Sequence, residues 1–171
     1  MLPERGDQAP EFKALLCDGE TFHDTHLDDA LRDRGGVLYF QGFVFSAIAR
    51  HWWKRFDRGD WDEFEDVPVP GVGRDGPFAH NAFIRQIGSP FRIFSDVDGY
   101  VMDAYGIGME RDGMAHTTTP RRSVFVLDAG REVQYRWIAP DTVEPPAGRG
   151  DRIRRRGTLN AGLPGLASRN H

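Results

Sequence analysis

Short apolar runs alternate with segments of helical spacing along the first 140 residues. The runs are rich in β-branched and aromatic residues, as buried strands are. Between them, apolar positions recur four apart, as Leu27 and Leu31 do. This alternation predicts an α/β domain with a central sheet flanked by helices. The predicted strands are residues 37–40, 67–72, 91–94, 123–127 and 132–137, and the predicted helices are residues 26–33, 46–56, 79–87 and 101–105.

Two β-hairpins are expected in this region. Near the N-terminus, residues 11–16 lead through Asp18-Gly19 to Thr21-Phe22, and Asp-Gly is a favoured pair in tight turns. Later, the strand at 123–127 closes on residues 128–130 before the next apolar run, so these two strands are expected to pair antiparallel.

The composition fits one domain followed by a polar tail. Hydrophobic residues make up 39% and charged residues 28% of the 171 residues. No apolar run approaches the roughly 18 residues that a membrane span needs. Beyond Pro140 the chain turns to glycine, proline, alanine and arginine without an apolar period. We therefore predict a domain over residues 1–140 and a disordered basic tail over residues 141–171.

Charge is distributed unevenly along the chain, whose net charge is −4. Residues 145–171 hold six arginines against Asp151 alone, which leaves about −9 on residues 1–144. An acidic body argues against nucleic-acid binding. Residues 1–9 are polar and lack the apolar core of a signal peptide, so we expect a cytoplasmic protein without membrane contact.

Cys17 is the only cysteine in the sequence, which excludes an internal disulfide, a Cys-x-x-Cys pair and a thiolate-rich zinc site. Nothing beside it would activate the thiol, so we interpret Cys17 as a small, at least half-buried hydrophobe. His23 and His26 flank Asp24 at a spacing that can chelate a metal if helical, but the start of a helix explains them better. We expect neither a metal nor a cofactor.

Four segments in the same order carry a family resemblance. Residues 6–12 read G-D-Q-A-P-E-F, residues 90–96 read P-F-R-I-F-S-D, Tyr105-Gly106 follows, and residues 122–128 read R-S-V-F-V-L-D. This set resembles the alkyl hydroperoxide reductase and thiol-specific antioxidant (AhpC/TSA) family of peroxiredoxins from about Gly6 to Trp137. The resemblance implies a thioredoxin-like fold with a mixed central sheet and an N-terminal β-hairpin. It also implies thiol-dependent reduction of peroxides as the family's chemistry.

The active-site motif of that family is P-x-x-x-T-x-x-C, between the first core strand and the helix that follows. Alignment on the flanking aromatic residues puts Phe40 at the proline, Val44 at the threonine and Ala47 at the cysteine. In the family, the cysteine attacks peroxide as a thiolate, while the threonine hydroxyl and backbone amides hold the peroxide. Alanine has no nucleophile and valine no hydroxyl, so the motif is degenerate at all three positions.

Arg122 matches the family arginine that orients peroxide and thiolate, and a structural ion pair explains it equally well. Arg121 beside it is expected to face solvent, since side chains alternate along a strand. Ser46 is adjacent to Ala47, but an alcohol without a partner base is a poor nucleophile toward peroxide. The resemblance therefore identifies no catalytic residue with certainty.

An aromatic-rich region surrounds the motif. Core packing explains part of it, but two adjacent tryptophans on a helix cannot both face inward, so an exposed interface is an open alternative. The acidic residues that follow are interpreted as a solvated loop rather than a metal site. The aromatic residues are Phe43, Phe45, Trp52, Trp53, Phe56, Trp61 and Phe64, and the acidic residues are Asp60, Asp62, Glu63, Glu65 and Asp66.

Two functional hypotheses follow from these observations. In the first, the chain is a peroxiredoxin-like protein without cysteine-based peroxidase activity that acts as a binding or assembly module. In the second, it remains an antioxidant oxidoreductase, a thiol peroxidase that uses Cys17 or an external thiol and draws on a thioredoxin-type or small-thiol reductant. The aromatic surface leaves a homodimer, or a pair with an active paralogue, as further alternatives.

Overall fold

A computed structural model of the protein describes residues 1–46, 49–51, 53, 67–88 and 90–140. Within these residues, nine strands and three α-helices have defined bounds. The strands are β1 (Lys13–Cys17), β2 (Phe22–His26), β3 (Gly36–Phe40), β4 (Gly71–Gly73), β5 (Ile93–Ser95), β6 (Gly108–Arg111), β7 (Thr117–Pro120), β8 (Ser123–Leu127) and β9 (Val133–Ile138), and the helices are α1 (Leu27–Leu31), α2 (Pro77–Ile87) and α3 (Tyr100–Ala104).

Seven strands form one mixed sheet in the order β2-β1-β5-β4-β3-β8-β9. Its centre is parallel, because β4 lies between β3 and β5 and runs in the same direction as both. The outer pairs are antiparallel and include both predicted hairpins, β1–β2 and β8–β9. The predicted α/β architecture with a mixed sheet and an N-terminal β-hairpin is therefore confirmed.

Both faces of the central sheet are buried, and the alternation of side chains explains how. All five residues of β3 and all five of β8 are buried. Val37 and Tyr39 of β3 pack into one apolar cluster, whereas Leu38 and Phe40 pack into another on the opposite face. The sheet thus separates two cores, as expected when helices cover a sheet from both sides.

The first predicted helix is shorter than expected. Residues 26–33 were predicted to be helical, but His26 is the last residue of β2 and the helix covers only Leu27–Leu31. A 3₁₀ turn, Arg32–Arg34, follows, and Gly35 then takes a positive φ of 75°. Leu27 and Leu31 are buried as their spacing predicts.

Prolines explain why β4 is shorter than the predicted strand at residues 67–72. Pro68 and Pro70 have no N–H to donate, so regular pairing begins only at Gly71. Their carbonyl oxygens still accept hydrogen bonds from the N–H groups of Val37 and Tyr39, at 2.9 and 3.0 Å. This stretch therefore lies along β3 without being a full strand.

The remaining elements differ from prediction mainly at their ends. Helix α2 begins at Pro77, two residues before the predicted start, with proline at a first-turn position that it favours. The antiparallel pair β6–β7 was not predicted. Ala49–His51 and Trp53 are helical, as predicted for residues 46–56. Among the described residues, no helix is long and apolar enough to cross a membrane.

Candidate functional site

A cavity of about 480 Å³ lies at the end of the sheet where β3 finishes and β8 begins. Because β3 and β8 are antiparallel, Gln41 and Gly42 after β3 meet Arg121 and Arg122 before β8 at one edge. The β6–β7 hairpin and the residues after β9 complete the walls. Phe40, the last residue of β3, and Val44, in the loop that follows, are two positions of the degenerate motif, so we treat the cavity as the candidate site.

The loop after β3 is held by two local hydrogen-bond arrangements. The N–H of Val44 donates to Asp75 Oδ2 at 2.7 Å. Burial raises the pKa of Asp75, and this hydrogen bond opposes the rise. Ser46 Oγ accepts from the N–H of Ala49 at 3.1 Å, as an N-cap residue does at the start of a helix. The structure thus gives Ser46 a capping role in the loop.

Phe40 and Val44, two of the three degenerate motif positions, pack into the cores on opposite faces of the sheet. The ring of Phe40 lies 5.0 Å from that of Tyr105 and 5.8 Å from that of Phe125. Val44 is 6% exposed. Neither residue lines the cavity. Ala47, the third position, lies outside the described residues.

Arg121 and Arg122 both line the cavity, and both are half-buried. The expectation that Arg121 faces solvent is therefore wrong. The two residues precede β8 rather than belong to it, so strand alternation does not separate their side chains. Arg121 Nη2 donates to the carbonyl of Ala139 at 3.0 Å. Burial raises the pKa of Tyr39, and the positive charge of Arg122 opposes that rise.

Gln41 is a cavity residue that sequence reasoning missed. It is 1% exposed, and its Oε1 accepts from the indole Nε1 of Trp53 at 2.6 Å. This bond fixes the orientation of the amide. Within the described part of the chain, Gln41 Nε2 has no hydrogen-bond partner. The sequence signal was a glutamine directly after the apolar run at residues 37–40, where burial would require the amide to find partners.

Cys17 lies in the core, with its side chain fully buried. Its Sγ is 3.6 Å from Ser95 Oγ, and Ser95 Oγ is 2.6 Å from His80 Nδ1. Burial raises the pKa of the Cys17 thiol, which the hydrogen bond with Ser95 only partly offsets. Since the thiolate is the reactive form, this thiol is poorly suited to attack a peroxide. Cys17 does not contribute to the cavity wall.

The structure does not support a metal site at His23 and His26. Both residues are on β2, where side chains three apart point to opposite faces of the sheet. A different group does converge: one ligand atom each of Glu110, Asp112 and His116 lies within 4.8 Å of the others. All three are exposed, and His116 Nδ1 is 2.7 Å from Glu110 Oε1, which is an ordinary ion-pair geometry.

The aromatic region around the motif is only partly described. Trp53 is fully buried, and Phe43 lines the cavity. Phe45 is 42% exposed, and its ring contacts the ring of Phe83. The other residues of this prediction lie outside the described residues, namely Trp52, Phe56, Trp61, Phe64 and the acidic residues Asp60, Asp62, Glu63, Glu65 and Asp66.

Comparison with known proteins identifies the family. The fold is the thioredoxin-like fold shared with solved peroxiredoxins. The family described as AhpC/TSA matches residues 5–136. This chain belongs to the AhpC/TSA family, as the resemblance implied.

Individual relatives are distant. The chain is 26% identical over 145 residues to a putative peroxiredoxin bcp of Coxiella burnetii. The match covers 80% of this chain and 89% of that protein. The chain is also 26% identical to the chloroplastic 2-Cys peroxiredoxin BAS1 of Spinacia oleracea, covering 80% of this chain and 53% of that protein. The chain therefore spans about half the length of the latter relative.

Two solved structures share the fold at lower identity. A cysteine-to-serine mutant of PrxQ from Xylella fastidiosa superposes with a TM-score of 0.75 and 22% identity, covering 94% of this chain and 99% of that one. Peroxidoxin BcpB from Mycobacterium tuberculosis gives a TM-score of 0.73 and 22% identity, covering 93% and 97%. The similarity extends over nearly the whole of both structures.

Proposed function

We propose that this AhpC/TSA family protein lacks cysteine-based peroxidase activity and acts through its cavity as a binding module. The observation that carries the proposal is the position of its one thiol: Cys17 is fully buried in the core and contributes nothing to the cavity wall. At the motif, Phe40, Val44 and Ala47 supply neither thiol nor hydroxyl. Arg122, the retained motif residue, then serves to bind rather than to activate a thiolate.

The test restores the missing nucleophile. We expect the purified protein to consume hydrogen peroxide, with dithiothreitol as donor, no faster than an equal concentration of free thiol. The variant Ala47→Cys with Val44→Thr should gain donor-dependent turnover, because the thiol and the hydroxyl return to their motif positions. Phe40 is left unchanged, since proline there would remove a side chain packed against Tyr105 and Phe125.

Ala129→Cys is the matched control, because it places one thiol on the exposed β8–β9 turn, away from the motif. This control should stay inactive. Peroxide consumption by the unmodified protein that disappears in Cys17→Ser would overturn the proposal and establish the antioxidant alternative. Turnover that a thioredoxin-type reductant supports in the unmodified protein would do the same.

A homodimer is part of the proposal. Phe45 and Phe78 are both large and exposed, at 42% and 78%, and both contact other aromatic rings near helix α2. Exposed aromatic side chains of this kind favour protein interfaces. Analytical ultracentrifugation should show a dimer that Phe78→Ser weakens, whereas a monomer at all concentrations would refute it.

We further infer a cytoplasmic location, to be tested by cell fractionation, because a lone free thiol is typical of reducing compartments.

A further inference from the structure

The cavity presents hydrogen-bond donors at one end. Gln41, fully buried, holds its carbonyl against the Trp53 indole and leaves Nε2 without a partner among the described residues. Arg121 and Arg122 reach the same cavity. An amide NH₂ and two guanidinium groups carry only donors. A ligand that completes this end must therefore offer acceptor oxygens.

Charge adds to this requirement. Three arginines line the cavity, against the two carboxylates of Glu110 and Asp112. Both carboxylates are already within 4 Å of His116 Nδ1, at 2.7 and 3.5 Å. Arginine thus outnumbers acidic side chains among the described residues of the cavity wall, inside a chain whose overall charge is −4. A guanidinium fork matches the two oxygens of a carboxylate, and hydrogen bonds between charged groups are the stronger kind.

Part of the remaining wall is apolar. Phe43, Met109 and Met114 line the cavity together with Pro120, Ala139 and Pro140. A volume of about 480 Å³ is within the range of pockets that take small organic molecules and exceeds what a peroxide needs. Methionine side chains adapt their shape to an apolar ligand. This wall fits a hydrocarbon or aromatic group attached to the acid.

We propose that the cavity binds a small carboxylate with an apolar body, its carboxylate held by Arg121, Arg122 and Gln41 Nε2 and its body lying against the apolar wall. This inference deepens the proposed function, and it rests on that function because a binding module needs a ligand class. It requires no covalent step.

Isothermal titration calorimetry with decanoate, kept below its micelle concentration, tests the proposal on the full-length protein. Decan-1-ol offers the same chain without charge, and inorganic phosphate offers charge without an apolar body. We expect decanoate to bind at least about ten-fold more tightly than either. No heat of binding with decanoate at millimolar concentration would overturn the proposal. Equal affinity for decan-1-ol would reduce the site to an apolar pocket, and equal affinity for phosphate would reduce it to an anion site; either result also overturns it.

Variants locate the binding. Arg122→Gln should weaken decanoate binding about ten-fold or more, since it removes a charge-assisted hydrogen bond but leaves neutral donors. Arg121→Gln is the second variant, in case the first does not fold. Arg92→Gln is the matched control, because Arg92 lines a separate groove with Arg32 and Arg34. Unchanged affinity in both cavity variants, or an equal loss in the control, contradicts the proposal.

A peroxide-consumption assay on the same preparation separates this inference from the proposed function. If decanoate does not bind and peroxide is not consumed, the carboxylate proposal fails while the loss of peroxidase activity stands. If peroxide is consumed, the proposed function fails, and the binding data still decide whether a carboxylate occupies the cavity.

Discussion

His80 is a buried histidine that contacts both a neighbouring side chain and the backbone of the sheet. Its side chain is fully buried on α2. Nδ1 is hydrogen-bonded to Ser95 Oγ, and Nε2 has no hydrogen-bond partner among the described residues. A Cβ added to Gly73 would lie 2.8 Å from that Nε2, so the imidazole packs directly on the β4 backbone. Burial lowers the pKa of His80 from 6.5 to about 4. The histidine is therefore neutral in the folded protein at physiological pH.

This shift predicts a stability that depends on pH. Well above pH 6.5 the histidine is neutral in both folded and unfolded chains, and its contribution is fully present. As pH falls from there towards the folded pKa of about 4, the unfolded chain takes up a proton that the folded chain excludes, so stability is lost. The full loss amounts to about 3 kcal/mol. Urea denaturation at a series of pH values in this window measures it.

The variant His80→Asn isolates the effect, because asparagine can keep a hydrogen bond to Ser95 without a titrating ring. The difference in unfolding free energy between the two proteins should shrink as pH falls through this window. His51→Asn, at an exposed histidine, is the matched control and should change the unfolding free energy by less than about 0.5 kcal/mol. A parallel decline of stability in the protein and in His80→Asn would show that other groups carry it.

At this scale, sequence reasoning found the residues that an aligned motif contains and missed those that only the fold brings together. Ala47, Val44 and Arg122 stand at positions that a pattern can align. Gln41 is invisible to that pattern, because its role depends on Trp53 holding its carbonyl across the loop. The expected outward direction of Arg121 was wrong because Arg121 and Arg122 precede β8, which begins at Ser123, so the alternation of side chains along a strand does not apply to them.

At the scale of the elements, strand β4 packs against the helical residue Trp53, and the contact on the strand is at Gly71. A Cβ on Gly71 would lie 2.5 Å from Cζ2 and 2.9 Å from Cη2 of Trp53. Gly71→Ala should therefore lower the unfolding free energy by about 1–3 kcal/mol, because the indole must move in a packed core. Urea denaturation measures the change. Since the indole holds Gln41, the same variant should also weaken decanoate binding.

Gly113→Ala is the control for this prediction, since an added Cβ there meets nothing within 4 Å. It should alter the unfolding free energy by less than about 0.5 kcal/mol. If Gly71→Ala proved equally neutral, the close packing of Trp53 on β4 would be contradicted.

Element type was predictable wherever periodicity and turn chemistry agreed. The hairpin β1–β2 formed around Asp18, whose carboxylate accepts from the N–H groups of Glu20 and Thr21, as turn-forming aspartates do. The hairpin β6–β7 was not predicted, because each of its strands has only four residues and both strands are partly exposed. This unpredicted hairpin forms a wall of the cavity, so the site could not be assembled from the sequence.

At the scale of the whole molecule, the family match and the composition indicate where the domain ends. The buried members of the two cores run from Ala9 to Val133, and β9 ends at Ile138. The family match ends at residue 136, before the arginine-rich segment begins. We therefore propose that residues 1–140 form the domain and that residues 141–171 add nothing to its stability.

Deleting residues 141–171 tests this boundary. We expect the unfolding free energy to change by less than about 0.5 kcal/mol, because every strand of the seven-stranded sheet remains. Decanoate binding should persist as well, since the described residues that line the cavity all remain in the shortened chain. Ending the chain at Arg131 is the matched control: it removes β9, which pairs along β8 and carries the fully buried Val133, so it should abolish cooperative unfolding. A large loss of stability in the longer truncated chain would mean that the basic segment packs on the domain, and the boundary at residue 140 would then be wrong.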